Sequence, residues 1–532
     1  MAVTEAEAVE TEVLIVGGGP VGLTARALLE RWGVRTLLVE RYGELSPFPR
    51  SRLVNVRSME IFRGLGLADR IRARAFAPEY GRVRFRDTLF DHDFATAAMV
   101  GIDAPIAESP EIGAVTSQDR LEPTLLAAAR APVRFGVELV DLADEGDSIV
   151  AVLLDRETSE QTRVRARYVL AADGANSTVR QLLGIGTDGP GAMADFTTVV
   201  FDADLGRWCA DQPSGVYFTA HGSFLPLYPE GGWAWFGPKP EGAERADWSS
   251  VVSHALGQNS DAHVGINVLR VQHWTMTAFV AERFRHGRVL LAGDAAHTVP
   301  PVGGLGMNAG LADVHNLCWK LAGVVHGWAG PDLLESYETE RRPVAHLTLR
   351  QAVANSRLAV QAQQQRLEQL RIGQVAPTEV ELPWSEKYFA QLGLVLGVSY
   401  RSAAVLADTD TATASEHEQA DVGTDYVPTT EPGHRMPHLW LTGDRSTLDA
   451  LGEWFTLLTL DPAHGQRRLT TPWPLRVETL PREYADRCSL GSDGALLVRP
   501  DGHVGARWRD SAPSDSALHG VLAAITGSAA AR

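Results

Sequence analysis

Hydrophobic positions recur with two different periods along the chain. The apolar run Glu12–Val16 predicts a short buried strand, Leu23–Trp32 has helical spacing, and Val34–Val39 predicts a second strand. Much later, Gly287–His297 contains another apolar strand, and Ala309–Val325 has the spacing of a long helix. Strand, helix and second strand make a βαβ unit, so the first segments predict an α/β domain with a parallel sheet.

The pattern changes between Phe196 and Phe279, where aromatic residues alternate with small or polar ones, as in Trp233-Ala234-Trp235. Alternation with a period of two is typical of an antiparallel sheet, so this segment predicts a sheet with one face turned towards something apolar. We expect most of the rings to be core residues and the others to line a pocket for a large flat ligand.

Length and charge narrow the class of protein. A chain of 532 residues is too long for one core and should form two or three domains. The net charge of −17 disfavours a nucleic-acid partner. No apolar run is long enough to span a membrane, and Met1–Thr11 lacks the features of a signal peptide, so we expect a cytoplasmic protein. The isolated Cys209, Cys318 and Cys488 predict neither a disulfide framework nor a zinc site.

The turn after the first strand carries the pattern Gly17-x-Gly19-x-x-Gly22. Such glycines permit a tight turn, let backbone approach a pyrophosphate, and allow the helix to pack closely on the strand. Glu40 ends the second strand, where an acidic side chain can accept hydrogen bonds from ribose hydroxyls. The segment therefore predicts a dinucleotide site with the phosphates at the helix N-terminus.

Two further turns place an acidic residue after a predicted strand. Asp173-Gly174 follows one strand, where Asp173 could also simply cap the next helix, and Asp294 follows another. A glycine-rich turn comes after Asp294 and leads into the long helix. An Asp at a strand end and backbone N–H groups at a helix N-terminus suit ribityl hydroxyls and an electron-rich ring edge.

These motifs occur together in one known family. Gly17-x-Gly19-x-x-Gly22, Asp173-Gly174 with Arg180, and Gly293-Asp294 followed by Pro301-x-Gly303-Gly304-x-Gly306-Met307-Asn308 resemble the single-component FAD-dependent aromatic hydroxylases. The similarity is greatest to the phenol hydroxylase branch and to the aromatic polyketide hydroxylases of antibiotic pathways.

The resemblance implies an α/β fold with three parts. A Rossmann-like FAD-binding domain would comprise residues 1–190 and 281–400, with an inserted antiparallel substrate-binding sheet at 191–280. Residues 401–532 would form a C-terminal thioredoxin-like domain. That segment has no C-x-x-C pair, so we expect it to serve stability or the contacts of a homodimer and not redox chemistry.

The resemblance also implies cofactor contacts. FAD would be the bound cofactor, NADPH would visit the flavin only briefly, and O2 would be the co-substrate. The residues implied in cofactor binding are Gly17, Gly19, Pro20, Val21, Gly22, Glu40, Arg41, Arg50, Gln118, Asp173, Asp294, Gly306, Met307 and Asn308.

The implied reaction transfers one oxygen atom from a flavin C4a-hydroperoxide to a polycyclic phenolic ring. A closed apolar pocket must keep water away from that hydroperoxide. Its candidate substrate contacts are Phe224, Trp235, Met276 and Pro301. Arg401 and Tyr217 are the candidate catalytic residues, because a cation such as Arg401 could anchor a phenol and lower its pKa. A domain-interface salt bridge is the alternative for Arg401.

Other functions are compatible with the same motifs. The same cofactor could carry out Baeyer–Villiger oxygenation of a polyketide ketone or oxidative inactivation of an antibiotic. A flavin-bearing protein that only sequesters an aromatic compound is a further alternative, and substrate-stimulated NADPH oxidation would argue against it.

Overall fold

The computed structural model describes residues 9–257, 264–372, 391–406, 425–461 and 470–528. Met1–Thr11, on which the cytoplasmic prediction rests, lies mostly outside these ranges. Three large sheets of eight, eight and four strands organise the described residues, together with a two-stranded ladder between Leu53–Val54 and Ala114–Val115. Of the helices in these ranges, none combines the length and the hydropathy that a membrane crossing requires.

The first sheet is built around the predicted βαβ unit. Its strand order is Arg285–His286, Val289–Leu291, Gln161–Ala171, Val9–Val16, Thr36–Glu40 and Val133–Phe135, with Val137–Asp144 and Ile149–Asp155 attached through Gln161–Ala171. The five strands from Val289–Leu291 to Val133–Phe135 are parallel, so their carboxyl ends lie at one edge. Ligands of open α/β sheets bind outside that edge. Gly17, Asp173 and Asp294 follow three neighbouring strand ends, and the topology therefore brings them together.

Helices follow the predicted apolar periods closely. The long helix begins at Leu305 and ends at His326, four residues before and one residue after the predicted bounds. It packs against the helix of the βαβ unit. The α-helices of the described ranges are Pro20–Arg31, Val56–Gly64, Ala68–Arg72, Gln118–Leu126, Thr178–Leu182, Gly206–Cys209, Trp248–Leu256, Leu305–His326, Glu335–Arg371, Leu392–Leu396 and Asp515–Thr526.

The second sheet is the predicted aromatic sheet with additional strands. Its order is His297–Thr298, Asn267–Ala281, Thr187–Asp202, Gly231–Pro238, Gly222–Tyr228, Val216–Thr219, Arg82–Arg86 and Asp93–Ala98. The last two strands lie within the segment 1–190 that the sequence assigned to the FAD-binding domain. They belong to this sheet because Arg82–Arg86 pairs in parallel with Val216–Thr219, a partner more than a hundred residues away.

The third sheet has the strand order and directions of a thioredoxin-like domain. Phe455–Thr459 pairs in parallel with Leu475–Thr479 and antiparallel with Ala495–Val498, which pairs antiparallel with Val504–Trp508. The helix Asp515–Thr526 follows the last strand.

Buried ion pairs join this domain to the first one. Arg499 binds Glu340 on the helix Glu335–Arg371, with 2.6 Å between Nη1 and Oε1. Arg435 binds Glu60 through a second fully buried pair, with 2.9 Å between Nε and Oε2. Phe455 and Leu457 also belong to the same continuous apolar core as the first sheet. The C-terminal domain is therefore packed firmly against the domain that contains the first sheet.

Candidate active site

A cavity of about 900 Å³ lies between the carboxyl edge of the first sheet and one face of the second sheet. Its first part is lined by the turns after the strands Val9–Val16, Gln161–Ala171 and Val289–Leu291. Its second part is lined by residues of the aromatic sheet. One space therefore connects the predicted dinucleotide cleft with the predicted substrate wall.

The three glycines of the first turn have different surroundings. Gly17 has φ +108°, and a Cβ atom there would lie 2.2 Å from the carbonyl oxygen of Ala172. A Cβ on Gly22 would lie 2.0 Å from the carbonyl oxygen of Gly17. Gly19 lines the cavity, and its Cβ would meet no atom within 4 Å. Gly17 and Gly22 therefore allow close packing, whereas Gly19 leaves space for a ligand at the start of the helix.

The helix Pro20–Arg31 presents its N-terminus to this space. Its N-cap residue is Gly19, which makes no side-chain cap hydrogen bond, so the backbone N–H groups that follow Pro20 in the first turn are available to an anion. Glu40 is fixed beside the turn, because its carboxylate accepts hydrogen bonds from Gly18 N at 2.6 Å and Tyr42 N at 2.9 Å. The arrangement matches a pyrophosphate and ribose site.

Arg180 connects the other two turns. Its Nη1 donates to the carbonyl oxygen of Ala295 and its Nη2 to that of Ala175, each at 2.8 Å. Asp173 lines the cavity, where Val179 N donates to its Oδ2 and its buried Oδ1 has no hydrogen-bond partner. Asp294 also lines the cavity, and although it lies deep in the protein its side chain is exposed to that space. Burial raises the pKa of both carboxyls.

A buried network holds the Asp294 turn in place. Asp313, on the helix Leu305–His326, accepts hydrogen bonds from Gly293 N at 3.0 Å and Arg341 Nε at 2.8 Å, and its Oδ2 lies 2.7 Å from His297 Nε2. Burial alone would raise the pKa of Asp313, but His297 and Arg341 outweigh it and lower the pKa to about 2. His297 therefore has a structural partner and does not line the cavity.

The glycine-rich turn forms the floor of the cavity at the start of the long helix. Gly304 has φ +63°, and a Cβ there would lie 2.7 Å from Leu53 Cδ2. No side chain caps this helix N-terminus, and Gly306 and Met307 line the cavity. Asn308 is buried outside it, because its Oδ1 accepts from Asn55 N and its Nδ2 donates to the carbonyl oxygens of Leu53 and Gly304.

The end of the cleft that lies away from the glycine-rich turn is lined by charged and amide side chains. Arg41, Arg50 and Gln118 all line it, as the sequence predicted for the adenosine and diphosphate end. Glu122 also lines it, a residue that the sequence analysis did not select. Gln118 Nε2 donates to Glu122 Oε1 at 2.7 Å, Oε2 has no partner, and burial raises the pKa of Glu122 to about 7.

The aromatic wall of the cavity is a stack of rings on the second sheet. Phe236 and Trp274 line the cavity with ring centroids 5.3 Å apart and planes 12° apart. Phe196 stacks on Phe236 with centroids 4.7 Å apart. Trp274 Nε1 is satisfied by Thr198 Oγ1 at 3.0 Å, so the indole is held in a fixed orientation. A flat apolar surface is thereby presented to the cavity.

Three residues chosen from the sequence lie on the other face of this sheet. Tyr217 is opposite Phe224 in the strand register, and Phe224 is opposite Trp235, so all three point the same way. Their neighbours Phe218, Leu225 and Phe236 line the cavity instead. Side chains alternate between the two faces of a sheet, so a prediction that is displaced by one residue along a strand selects the face away from the cavity.

That opposite face is itself apolar core, which explains the misleading pattern. The helix Trp248–Leu256 covers it through Val252 and Leu256. Tyr217 is 1% exposed, and its hydroxyl donates to the carbonyl oxygen of Gln212 at 2.8 Å. Burial raises the pKa of Tyr217, and the side chain does not line the cavity.

The remaining candidates divide in the same way. Pro301 lines the cavity, whereas Met276 does not, although its neighbours Thr275 and Thr277 do. Arg401 is exposed in the short segment after Tyr400 and does not line the cavity. Twelve of the fourteen predicted cofactor residues line the cavity; Gly22 and Asn308 support it from behind. In the described part of the chain no cluster of side chains could hold a metal ion.

Comparison with known proteins agrees with this geometry. The FAD binding domain model matches residues 10–352, and the model "Aromatic-ring hydroxylase, C-terminal" matches residues 429–529. Aklavinone 12-hydroxylase RdmE of Streptomyces purpurascens is 35% identical, over 96% of this chain and 98% of its own length. A 4-methyl-5-nitrocatechol 5-monooxygenase of Burkholderia sp is 33% identical, over 97% and 98%.

Solved structures extend the comparison to the whole fold. The flavin-dependent monooxygenase PieE, solved in complex with FAD and substrate, superimposes with a TM-score of 0.88 at 32% identity. The match covers 98% of this chain and 100% of that one. All three parts of the chain, including the C-terminal domain, therefore have counterparts in a solved flavoprotein.

Proposed function

The chain belongs to the FAD-binding aromatic-ring hydroxylases, and from this premise we propose that it hydroxylates a polycyclic phenolic substrate with NADPH and O2 as co-substrates. It is a flavin-dependent aromatic monooxygenase. The observation that carries the proposal is a continuous cavity of about 900 Å³, which runs from the dinucleotide cleft to a wall of stacked rings. A nitrocatechol monooxygenase and polyketide hydroxylases are both similar to this chain. The flat wall of stacked rings favours a flat, polycyclic substrate.

The residues around the first part of the cavity fit FAD. The open space at Gly19 and the uncapped start of the helix Pro20–Arg31 suit a diphosphate. Asp173 Oδ1 is a buried acceptor without a partner, and Asp294 is exposed to the cavity, so both can accept hydrogen bonds from ribityl or ribose hydroxyls. The backbone N–H groups of Gly306 and Met307 would meet the isoalloxazine ring.

When bound, FAD would supply the path for electrons from NADPH to O2, and O2 would supply the oxygen atom that is transferred to the substrate ring. The chain's own part is to hold the substrate ring and to exclude water. Phe236 and Trp274 present an apolar surface without free polar atoms, because the indole N–H is already bonded to Thr198. A dry pocket favours oxygen transfer over release of hydrogen peroxide.

Two parts of the proposal rest on the family resemblance alone. NADPH is the proposed reductant, and a homodimer is the proposed assembly. Within the described part of the C-terminal domain, Cys488 is buried and burial raises its pKa to about 12, which supports a structural and not a redox role for that domain.

The test is NADPH oxidation by the purified, FAD-loaded protein in air, with and without a panel of hydroxyanthraquinones, together with assays of O2 and peroxide. We expect stimulated NADPH oxidation, little peroxide, and a product heavier by one oxygen atom whose NMR spectrum shows a new ring hydroxyl. Free FAD with NADPH and the same compounds is the control. If the NMR spectrum of the product shows a lactone, the reaction is Baeyer–Villiger oxygenation and not hydroxylation. Tight binding of the compounds without any stimulation would refute a monooxygenase reaction on this class.

A further inference from the structure

Arg52 lies where the floor of the cavity meets the second sheet. Its backbone is fixed, since its carbonyl oxygen accepts a hydrogen bond from Thr116 N at 3.0 Å, and the next residue, Leu53, packs against Gly304 of the glycine-rich turn. Its side chain reaches the second sheet, where Nη1 donates to the carbonyl oxygen of Gly215 at 3.3 Å. The guanidinium carbon lies 5.5 Å from the centre of the Phe76 ring. Arg52 thus lines the cavity beside the proposed position of the flavin ring.

Most of the hydrogen-bonding capacity of this guanidinium is unused. Nε and Nη2 are both buried, and neither has a hydrogen-bond partner. These two atoms form one edge of the guanidinium plane, the edge that binds two oxygen atoms side by side. Buried donors on a charged group are costly to leave unpaired. The edge therefore has the character of a binding group whose partner is a ligand.

One carboxylate, that of Asp119, lies close enough to Arg52 to favour its positive charge. Burial lowers the pKa of Arg52 to about 10, while Tyr228 and Asp119 favour the charged form, so the side chain is a cation at neutral pH. The Oδ2 atom of Asp119 accepts a hydrogen bond from the Tyr228 hydroxyl at 2.6 Å, and its buried Oδ1 has no hydrogen-bond partner. Within the ranges that the structure describes, Arg52 forms no ion pair. An anionic group of a ligand would complete the site.

We propose that the Nε and Nη2 edge of Arg52 binds two neighbouring oxygen atoms of the substrate, at least one of which is acidic. Such a pair is present in an aromatic carboxylate and in the adjacent hydroxyl and carbonyl of a hydroxyquinone. Bidentate charge-assisted hydrogen bonds would orient the ring system against Phe236 and Trp274 and would lower the pKa of a bound phenol. A small side-chain adjustment on binding, which is common at binding surfaces, brings the edge to the ligand. The inference rests on the proposed function, and it assigns to Arg52 the anchoring role that the sequence analysis gave to Arg401.

The experiment compares the FAD-loaded wild-type protein with Arg52→Met and Arg52→Lys. The probes are 1,8-dihydroxyanthraquinone, its 3-carboxylate, and 1,8-dimethoxyanthraquinone, which has no acidic oxygen. Dissociation constants are measured by titration at one fixed pH, and the visible absorption of each bound dye reports the phenolate. FAD affinity is measured in parallel by flavin fluorescence. Arg120→Met is the matched control, because Arg120 is a half-buried arginine that lies over the Tyr228 ring and is already paired with Glu230.

We expect Arg52→Met to weaken binding of the dihydroxy compound and of the carboxylate by about tenfold or more and to abolish any phenolate band of the bound dye. The dimethoxy compound and FAD should bind as in the wild type, Arg52→Lys should recover part of the affinity, and Arg120→Met should change nothing. A loss confined to the carboxylate or to the dihydroxy compound would identify which oxygen pair is bound.

Two other outcomes would overturn the inference. If the variants lose FAD affinity and keep dye affinity, Arg52 is a cofactor residue; if all constants stay equal, it is a structural residue. These results differ from a failure of the proposed function, in which the wild-type protein itself would neither bind the dyes nor oxidise NADPH faster in their presence. If Arg52→Met does not fold, Arg52→Lys carries the same comparison, because it keeps the charge and removes the planar edge.

Discussion

Replacing Gly17 and Gly19 separately by alanine should separate the two roles that the glycine turn combines. At Gly17 the new methyl group would lie 2.2 Å from the Ala172 carbonyl oxygen and 2.6 Å from its carbon, in a backbone conformation of φ +108°. At Gly19 the backbone is extended, with φ −75° and ψ −177°, and the methyl group meets nothing within 4 Å. Only the first substitution should strain the protein itself.

The magnitudes follow from these surroundings. A positive φ costs a non-glycine residue about 1–2 kcal/mol, and overpacking adds about 1–3 kcal/mol. Gly17→Ala should therefore lower the free energy of unfolding by about 2–5 kcal/mol even without cofactor. Gly19→Ala should leave it unchanged or raise it by up to about 1 kcal/mol, because alanine restricts the unfolded chain. Its methyl group occupies the space proposed for the diphosphate, so FAD should bind about tenfold more weakly or worse.

The assay uses each variant stripped of flavin and then titrated with FAD. Chemical denaturation of the stripped protein gives the stability, and quenching of flavin fluorescence gives the dissociation constant. Gly33→Ala is a useful control for positive φ alone, since Gly33 has φ +73° and a methyl group added there would meet no atom within 4 Å. The reasoning is refuted if Gly19→Ala destabilises the stripped protein as much as Gly17→Ala, or if Gly19→Ala binds FAD like the wild type.

Three further substitutions test other parts of the site. Asp313 has a pKa of about 2 in the folded protein against an ordinary 3.8, so its ionisation stabilises the fold above pH 3.8 by about 2 kcal/mol and that contribution disappears as the pH falls towards 2. Asp313→Asn should therefore flatten the stability profile between about pH 4 and pH 2, and an unchanged slope would contradict the assignment. Phe236→Ala should raise the share of NADPH oxidation that ends as peroxide, because water gains access to the cavity; Trp235→Phe on the opposite face should leave that share unchanged. Tyr217→Phe should lose about 1 kcal/mol of stability with its hydrogen bond and keep the turnover number; a large loss of turnover would restore the catalytic role.

Much of the cofactor site could be predicted from the sequence. The strand, the glycine turn, the helix and Glu40 are specified within about thirty residues by local periodicity and by the steric demands of the turn. The acidic turns at Asp173 and Asp294 were identified for the same reason, since each directly follows an apolar strand. What the sequence did not show is that Arg180 joins these two turns or that Asp313 holds the second one.

The substrate side was much less predictable. The alternation between Phe196 and Phe279 predicted a sheet with an apolar face, and the sheet is there. One face of that sheet lines the cavity and the other packs against the helix Trp248–Leu256. Because neither face lies on the outer surface, aromatic residues occur on both. The periodicity is the same in either register, and it could not decide between Trp235 and Phe236.

The sequence by itself thus determined the βαβ unit with its glycine turn and the position of the acidic turns directly after apolar strands, because these depend on residues that are neighbours along the chain. Only the tertiary structure decided which face of the second sheet lines the cavity, that Arg82–Arg86 joins that sheet, and that Arg52 rather than Arg401 reaches the cavity. These outcomes depend on contacts between residues more than a hundred positions apart. Which of these contacts form depends on how the whole chain packs, so the local pattern of hydrophobic and polar residues does not predict them.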